Sequence, residues 1–174
     1  MTEGDSYFDQ TFEADQMFFE ADQKIKDGNF VGALKLLYEI TDRFPEYGRA
    51  YNHLGYLYET KYQNYNKAEF YYRTAIDYAP EYPATYLNYA VLLSTCQKFT
   101  ELEELLNKAL EVPGINKEKI YCEMGIMKEL QGKYDEAIDY FKTVITYCLN
   151  SKSIDIYEKN IERCFNKKEI RNKY

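Results

Sequence analysis

Between Tyr51 and Pro80, large apolar residues fall at helical spacing: Tyr51, Leu54 and Tyr58 in one run, Tyr65 and Tyr72 in the next. Small residues sit among them at Gly55, Ala68 and Ala75, and a polar turn parts the two runs. Apolar positions three and four apart share one face of a helix, so the stretch predicts two amphipathic helices whose small residues let them pack closely. The pattern returns along the chain. The small residue of the first helix recurs as Ala21, Gly55, Ala90 and Gly125, at steps of 34, 35 and 35. That of the second recurs as Ala33, Ala68, Leu102 and Ala137, at steps of 35, 34 and 35. Two registers advancing together mark a repeated helical hairpin of ~34 residues. Glycine inside a helix costs ~1 kcal/mol relative to alanine, so Gly55 and Gly125 predict close approach of a neighbouring helix.

Taken in order, Met1 to Asp5 is polar and expected to fray, and Ser6 with Asp9 three residues on resembles a capping box that would start a first helix. That helix should run to about Asp27, where Gly28-Asn29 breaks it. Phe30 to Arg43 follows, with Ala33, Leu37 and Ile40 inward, and Pro45 closes the unit. The second repeat carries one extra residue in its Lys61–Asn66 turn, because Gly55 and Ala68 are 13 apart. In the third, Leu102 stands where the others have alanine, which predicts adjusted packing. The fourth restores the pattern but ends on Leu149 instead of proline. A last amphipathic segment, about 153–168, puts Ile154, Tyr157, Ile161, Cys164 and Phe165 on one face and reads as a cap over the final repeat.

The sequence of a bulky aromatic at Tyr51, then Leu54-Gly55, Tyr58, Ala68 and a closing Pro80 resembles the tetratricopeptide repeat. The resemblance covers about 14–151 and implies an all-α, right-handed solenoid of about four hairpins plus a C-terminal capping helix. The repeats fall at about 14–47, 48–82, 83–117 and 118–151, all within a single domain, 1–174. The first repeat departs most: Met17 holds its bulky position, and Glu20 and Lys24 replace apolar residues. In this family the first helices of the repeats line a concave groove that receives peptides. Carried over by position, the groove would comprise Phe18 and Asp22, then Asn52, Tyr56 and Glu59, then Leu87, Val91 and Ser94, then Cys122, Ile126 and Glu129. The competing reading is that some of these side chains simply pack between adjacent helices. The family's chaperone-tail clamp needs Lys, Asn, Asn, Lys and Arg where this chain has Phe18, Asp22, His53, Ala84 and Asn88. No cation remains to hold a carboxylate, so that activity is not expected. Tyr7, Phe8 and Phe12 either fold back over the strip or extend the first helix.

Composition narrows the function. A formal charge of −7 over 174 residues disfavours nucleic acid and anionic membrane as partners, and basic residues gather only at the end, Arg163 to Lys173. The 17% aromatic content, mostly tyrosine, argues against disorder. No run approaches the ~18 apolar residues of a membrane span, and the polar, acidic start lacks a signal pattern, so a soluble, cytoplasmic protein is expected. Cys96, Cys122, Cys148 and Cys164 show no paired spacing, and His53 is the single histidine, so neither a zinc site nor any other cofactor is expected. No phosphate loop or nucleophile elbow is present, and a lone helical histidine is a poor general base. The expected function is non-catalytic: an adaptor binding a polypeptide that carries apolar or aromatic anchors and basic flanks. The alternatives are a self-associating scaffold and, behind it, RNA binding through the basic tail.

Overall fold

The computed structural model describes residues 3–173, with side chains from residue 11 onward. Among these residues the structure is helical throughout: α1 (Glu3–Lys26), α2 (Phe30–Arg43), α3 (Gly48–Thr60), α4 (Tyr65–Tyr78), α5 (Pro83–Thr95), α6 (Phe99–Ala109), α7 (Lys117–Leu130), α8 (Tyr134–Ile145) and α9 (Ser151–Lys173). They form two compact units, Met1–Leu92 and Leu93–Tyr174, with the division falling inside α5. The first helix begins at Glu3, ahead of the expected start at Ser6, and α9 runs on to Lys173.

In the first unit, α1 pairs with α2, α3 with α4, and α3 stacks on α2. Its core joins Ala21, Ala33, Leu37, Ile40, Ala50 and Leu54, the inward positions of three successive helices. Two tyrosines tie repeat to repeat in the same way. Tyr51 donates from its hydroxyl to the Pro45 carbonyl at 2.9 Å, and Tyr86 to that of Pro80 at 2.8 Å. Each proline ends a hairpin, and the next repeat's aromatic pins the carbonyl it leaves behind.

In the second unit, α7 pairs with α8, and α9 stacks on α8. Ala137, Ile138 and Phe141 of α8 bury against Cys164 of α9, with Tyr157 and Ile161 packed beside them. Leu102 is fully buried, so the wider side chain is absorbed within the core of this unit.

The glycines expected at helix crossings face aromatic rings. A Cβ on Gly55 would lie 2.6 Å from the Tyr72 ring, and one on Gly125 2.7 Å from that of Phe141. The close approach is therefore made by an aromatic side chain of the partner helix packed against the glycine. A third recurrence accompanies the two in the sequence. Gly28, Gln63, Gln97 and Gly132 all hold positive φ, at 77°, 49°, 55° and 72°. Each ends the first helix of its hairpin in the left-handed conformation that reverses the chain. In the repeat with the extra residue, the Asn64 amide reaches back six residues to Tyr58, whereas Asn29, Lys98 and Lys133 reach back five.

Candidate protein-binding surface

The first unit brings four of the expected groove residues, Phe18, Asp22, Asn52 and Tyr56, into one neighbourhood. Phe18 of α1 meets the His53 ring edge-on at 4.5 Å. Asp22 pairs with Lys26 at 2.7 Å and lies 3.4 Å from His53 Nε2. The Lys26 ammonium holds the Asp22 carboxyl below its ordinary range, with His53 adding to the effect. Burial pushes the His53 imidazole below its usual value, partly opposed by Asp22. Asn52 is 2% exposed and accepts from the Asn88 amide at 3.1 Å, while its own amide nitrogen sits 3.5 Å from His53 Nδ1. Asp22, His53, Asn52 and Asn88 thus form a polar ladder across α1, α3 and α5. Beside it opens a cleft of about 270 Å³, with Ile25, Tyr56, Tyr82 and Ala84 as its apolar lining.

Glu59 lies off this cleft. It is half-buried and accepts from the Tyr72 hydroxyl at 2.7 Å, the same ring that covers Gly55. Burial raises its carboxyl and the Tyr72 hydrogen bond partly offsets that rise. Leu87 is half-buried, and Val91 is 47% exposed.

The second unit holds the other four. Ser94 is half-buried on α5. Cys122 and Ile126 pack into the α8–α9 core, and burial pushes the Cys122 thiol up to about 11, leaving it unreactive at neutral pH. Glu129, expected as a free acidic edge, is only 7% exposed. It receives Arg163 in a fork, at 2.8 and 2.6 Å, and Lys167 at 2.7 Å. The Arg163 guanidinium, then Lys167, hold its carboxyl down to about 2. Its charge is spent on holding α9, so it cannot steer a partner.

Phe12 lies exposed on α1, whose helical backbone includes residues 7 and 8; the Tyr7 and Phe8 side chains lie outside the described residues. The ladder residues Asn88 and His53 were legible in the sequence only as departures from the clamp. The 36-residue step from Asn52 to Asn88, close to the repeat period, is the signal that links them. Among the described residues no cluster of His, Cys, Asp and Glu could hold a metal ion, and no helix is long and apolar enough to cross a membrane.

The tetratricopeptide repeat model matches residues 48–82 and 118–151. No curated protein matches the chain in sequence. Among solved structures, the pilF protein of Pseudomonas aeruginosa is 17% identical with a TM-score of 0.79, over 92% of this chain and 71% of that one. MamA is 16% identical with a TM-score of 0.75, over 92% and 85%. YrrB, a TPR protein with an unusual peptide-binding site, is 18% identical with a TM-score of 0.71, over 88% and 76%. At these identities the likeness is one of fold, an all-α solenoid of helical hairpins. Residues 48–82 and 118–151 are thus tetratricopeptide repeats, and the paired registers recur between them within a fold shared with tetratricopeptide-repeat structures.

Proposed function

We propose that this protein is a non-catalytic adaptor that binds a polypeptide segment at the α1–α3–α5 cleft of its first unit. The observation that carries the reading is the cleft itself: an apolar lining around Tyr56 beside a ladder of side-chain amides. Apolar walls take an anchoring side chain, and amides offer a donor and an acceptor to a peptide main chain. Tyr56 is the anchor of choice, being a rigid aromatic with a polar tip. Residues 1–92 carry 15 acidic against 8 basic side chains, net −7, so a partner with basic flanks is favoured. The RNA reading loses ground, because Arg163, Lys167, Lys168 and Arg171 already engage Glu129, Asp135 and the Gly132 carbonyl.

Peptides selected from a random displayed library on the wild-type chain test this. They should converge on an apolar or aromatic anchor with basic neighbours. Tyr56→Ala should weaken them by ~1–2 kcal/mol, roughly 5- to 30-fold, with the domain still folded. Selected peptides that bind Tyr56→Ala and Val91→Glu as tightly as wild type would move the interface off this face.

A further inference from the structure

We infer that α1 of one copy of this chain docks against α9 of a second copy. Three observations meet here. The first is length: α1 has 24 residues and α9 has 23, whereas the seven helices between them have 11 to 14. A surplus of about ten residues is roughly 15 Å of helix beyond what a hairpin partner can cover.

The second is an apolar seam on each. On α1, Phe12 and Phe19 stand seven residues apart on one face and are 63% and 64% exposed. On α9, Ile156 and Ile170 stand fourteen apart and are 57% and 61% exposed. Apolar residues at multiples of seven make the narrow seam with which two helices pair. Neither seam serves the core beneath it, since α1 buries Ala14 and Ala21 and α9 buries Cys164.

The third observation chooses the occupant. Residues 3–26 carry seven acidic side chains against two basic, net −5, and residues 151–173 carry seven basic against four acidic, net +3. The basic side of α9 is the side of its seam: Lys152 and Lys159 lie within one face with Ile156 and Ile170. Lys152 and Lys159 hold no ion pair among the described residues. Each seam would repel its own kind and attract the other, so pairing α1 with α1 or α9 with α9 is disfavoured. A second copy supplies both the apolar and the charge complement.

Sedimentation of the full chain from about 5 to 500 μM tests the inference. Mass should rise with concentration, and the rise should weaken in high salt, which screens exposed charge. Phe19→Lys disables the α1 seam, and Ile156→Glu the α9 seam, each replacing an apolar residue by a charge the facing helix repels; both positions are exposed, so helicity and melting should match wild type. Each variant alone should lose association by at least tenfold. An equimolar mixture should form a 1:1 heterodimer, because Phe19→Lys retains an intact α9 and Ile156→Glu an intact α1. A wild-type chain that stays monomeric across the range, variants that associate as wild type does, or a mixture that remains monomeric would each overturn the α1–α9 contact.

Discussion

The second and fourth repeats carry the same framework and use it differently. Gly55 and Gly125, seventy residues apart, each lie beneath an aromatic ring, Tyr72 and Phe141. Glu59 and Glu129 occupy the same place one turn further on. In the second repeat the covering ring has a hydroxyl, and that hydroxyl meets the glutamate at 2.7 Å. In the fourth it has none, and Arg163 and Lys167 of α9 cover the glutamate instead. Burial therefore raises the Glu59 carboxyl, whereas two cations bring that of Glu129 down to about 2. A repeat position does not fix the role of its residue: the missing hydroxyl lets one glutamate become the clasp for a helix.

Removing that clasp should have the largest effect. Arg163→Ala combined with Lys167→Ala leaves Glu129 buried without a cation. A fully buried pair broken in this way costs ~3–5 kcal/mol; with both cations half-exposed, about 2–3 kcal/mol is expected in urea melts. The pH dependence has a definite sign. Glu129 sits below its unfolded value of 4.5, so its contribution is full above that pH and is lost as pH falls toward 2. Glu129→Gln should flatten this acid limb. Glu59→Gln should leave it in place, because a raised carboxyl favours the folded state as it gains its proton. Equal acid limbs for the two variants would erase the distinction between the repeats.

The shared framework is broken at its glycines. Alanine at Gly55 or Gly125 gains up to ~1 kcal/mol of helix propensity but drives a Cβ to within 2.6 or 2.7 Å of a ring. Overpacking costs ~1–3 kcal/mol, so a net loss of about 1–2 kcal/mol is expected at each site. Replacing the ring, as in Gly55→Ala with Tyr72→Leu, should recover part of it, and the double-mutant cycle measures the coupling. Additive losses would show that the ring is not what the glycine accommodates.

The glycines were legible because a small residue at a fixed period leaves a mark in one dimension; what fills the space lies sixteen or seventeen residues on and does not. The turn positions show the same limit. Gly28 and Gly132 announce a left-handed residue, while Gln63 and Gln97 adopt the same conformation with nothing in their chemistry to signal it. The fate of Glu129 was hidden for another reason. Its partners stand 34 and 38 residues away, in a basic stretch that reads as solvated helix end, and only the stacking of α9 on α8 brings them together. Periodicity reports the framework, and pairings between residues of different repeats have to be seen.

The smallest effect concerns one more pair of matched positions, His53 and Glu123, seventy residues apart and half-buried. Burial pushes both toward the neutral form, lowering the imidazole and raising the carboxyl. Their contributions to stability then slope in opposite directions. Below its ordinary value of 6.5, His53 takes up a proton in the unfolded chain first, so stability falls with pH there until the folded imidazole is also protonated. Glu123 takes its proton in the folded state first, so stability rises as pH falls toward 4.5. The asymmetry between them is Asp22, whose carboxylate lies 3.4 Å from His53 Nε2 and pulls against burial. Asp22→Asn removes that pull, so the His53 pKa should fall further, while Glu123→Gln should leave it where it is. With a single histidine in the chain, proton NMR of the imidazole gives an unambiguous titration. An unchanged or raised His53 pKa in Asp22→Asn would mean the aspartate does not act on the ring, and the polar ladder would then begin at His53, not at α1.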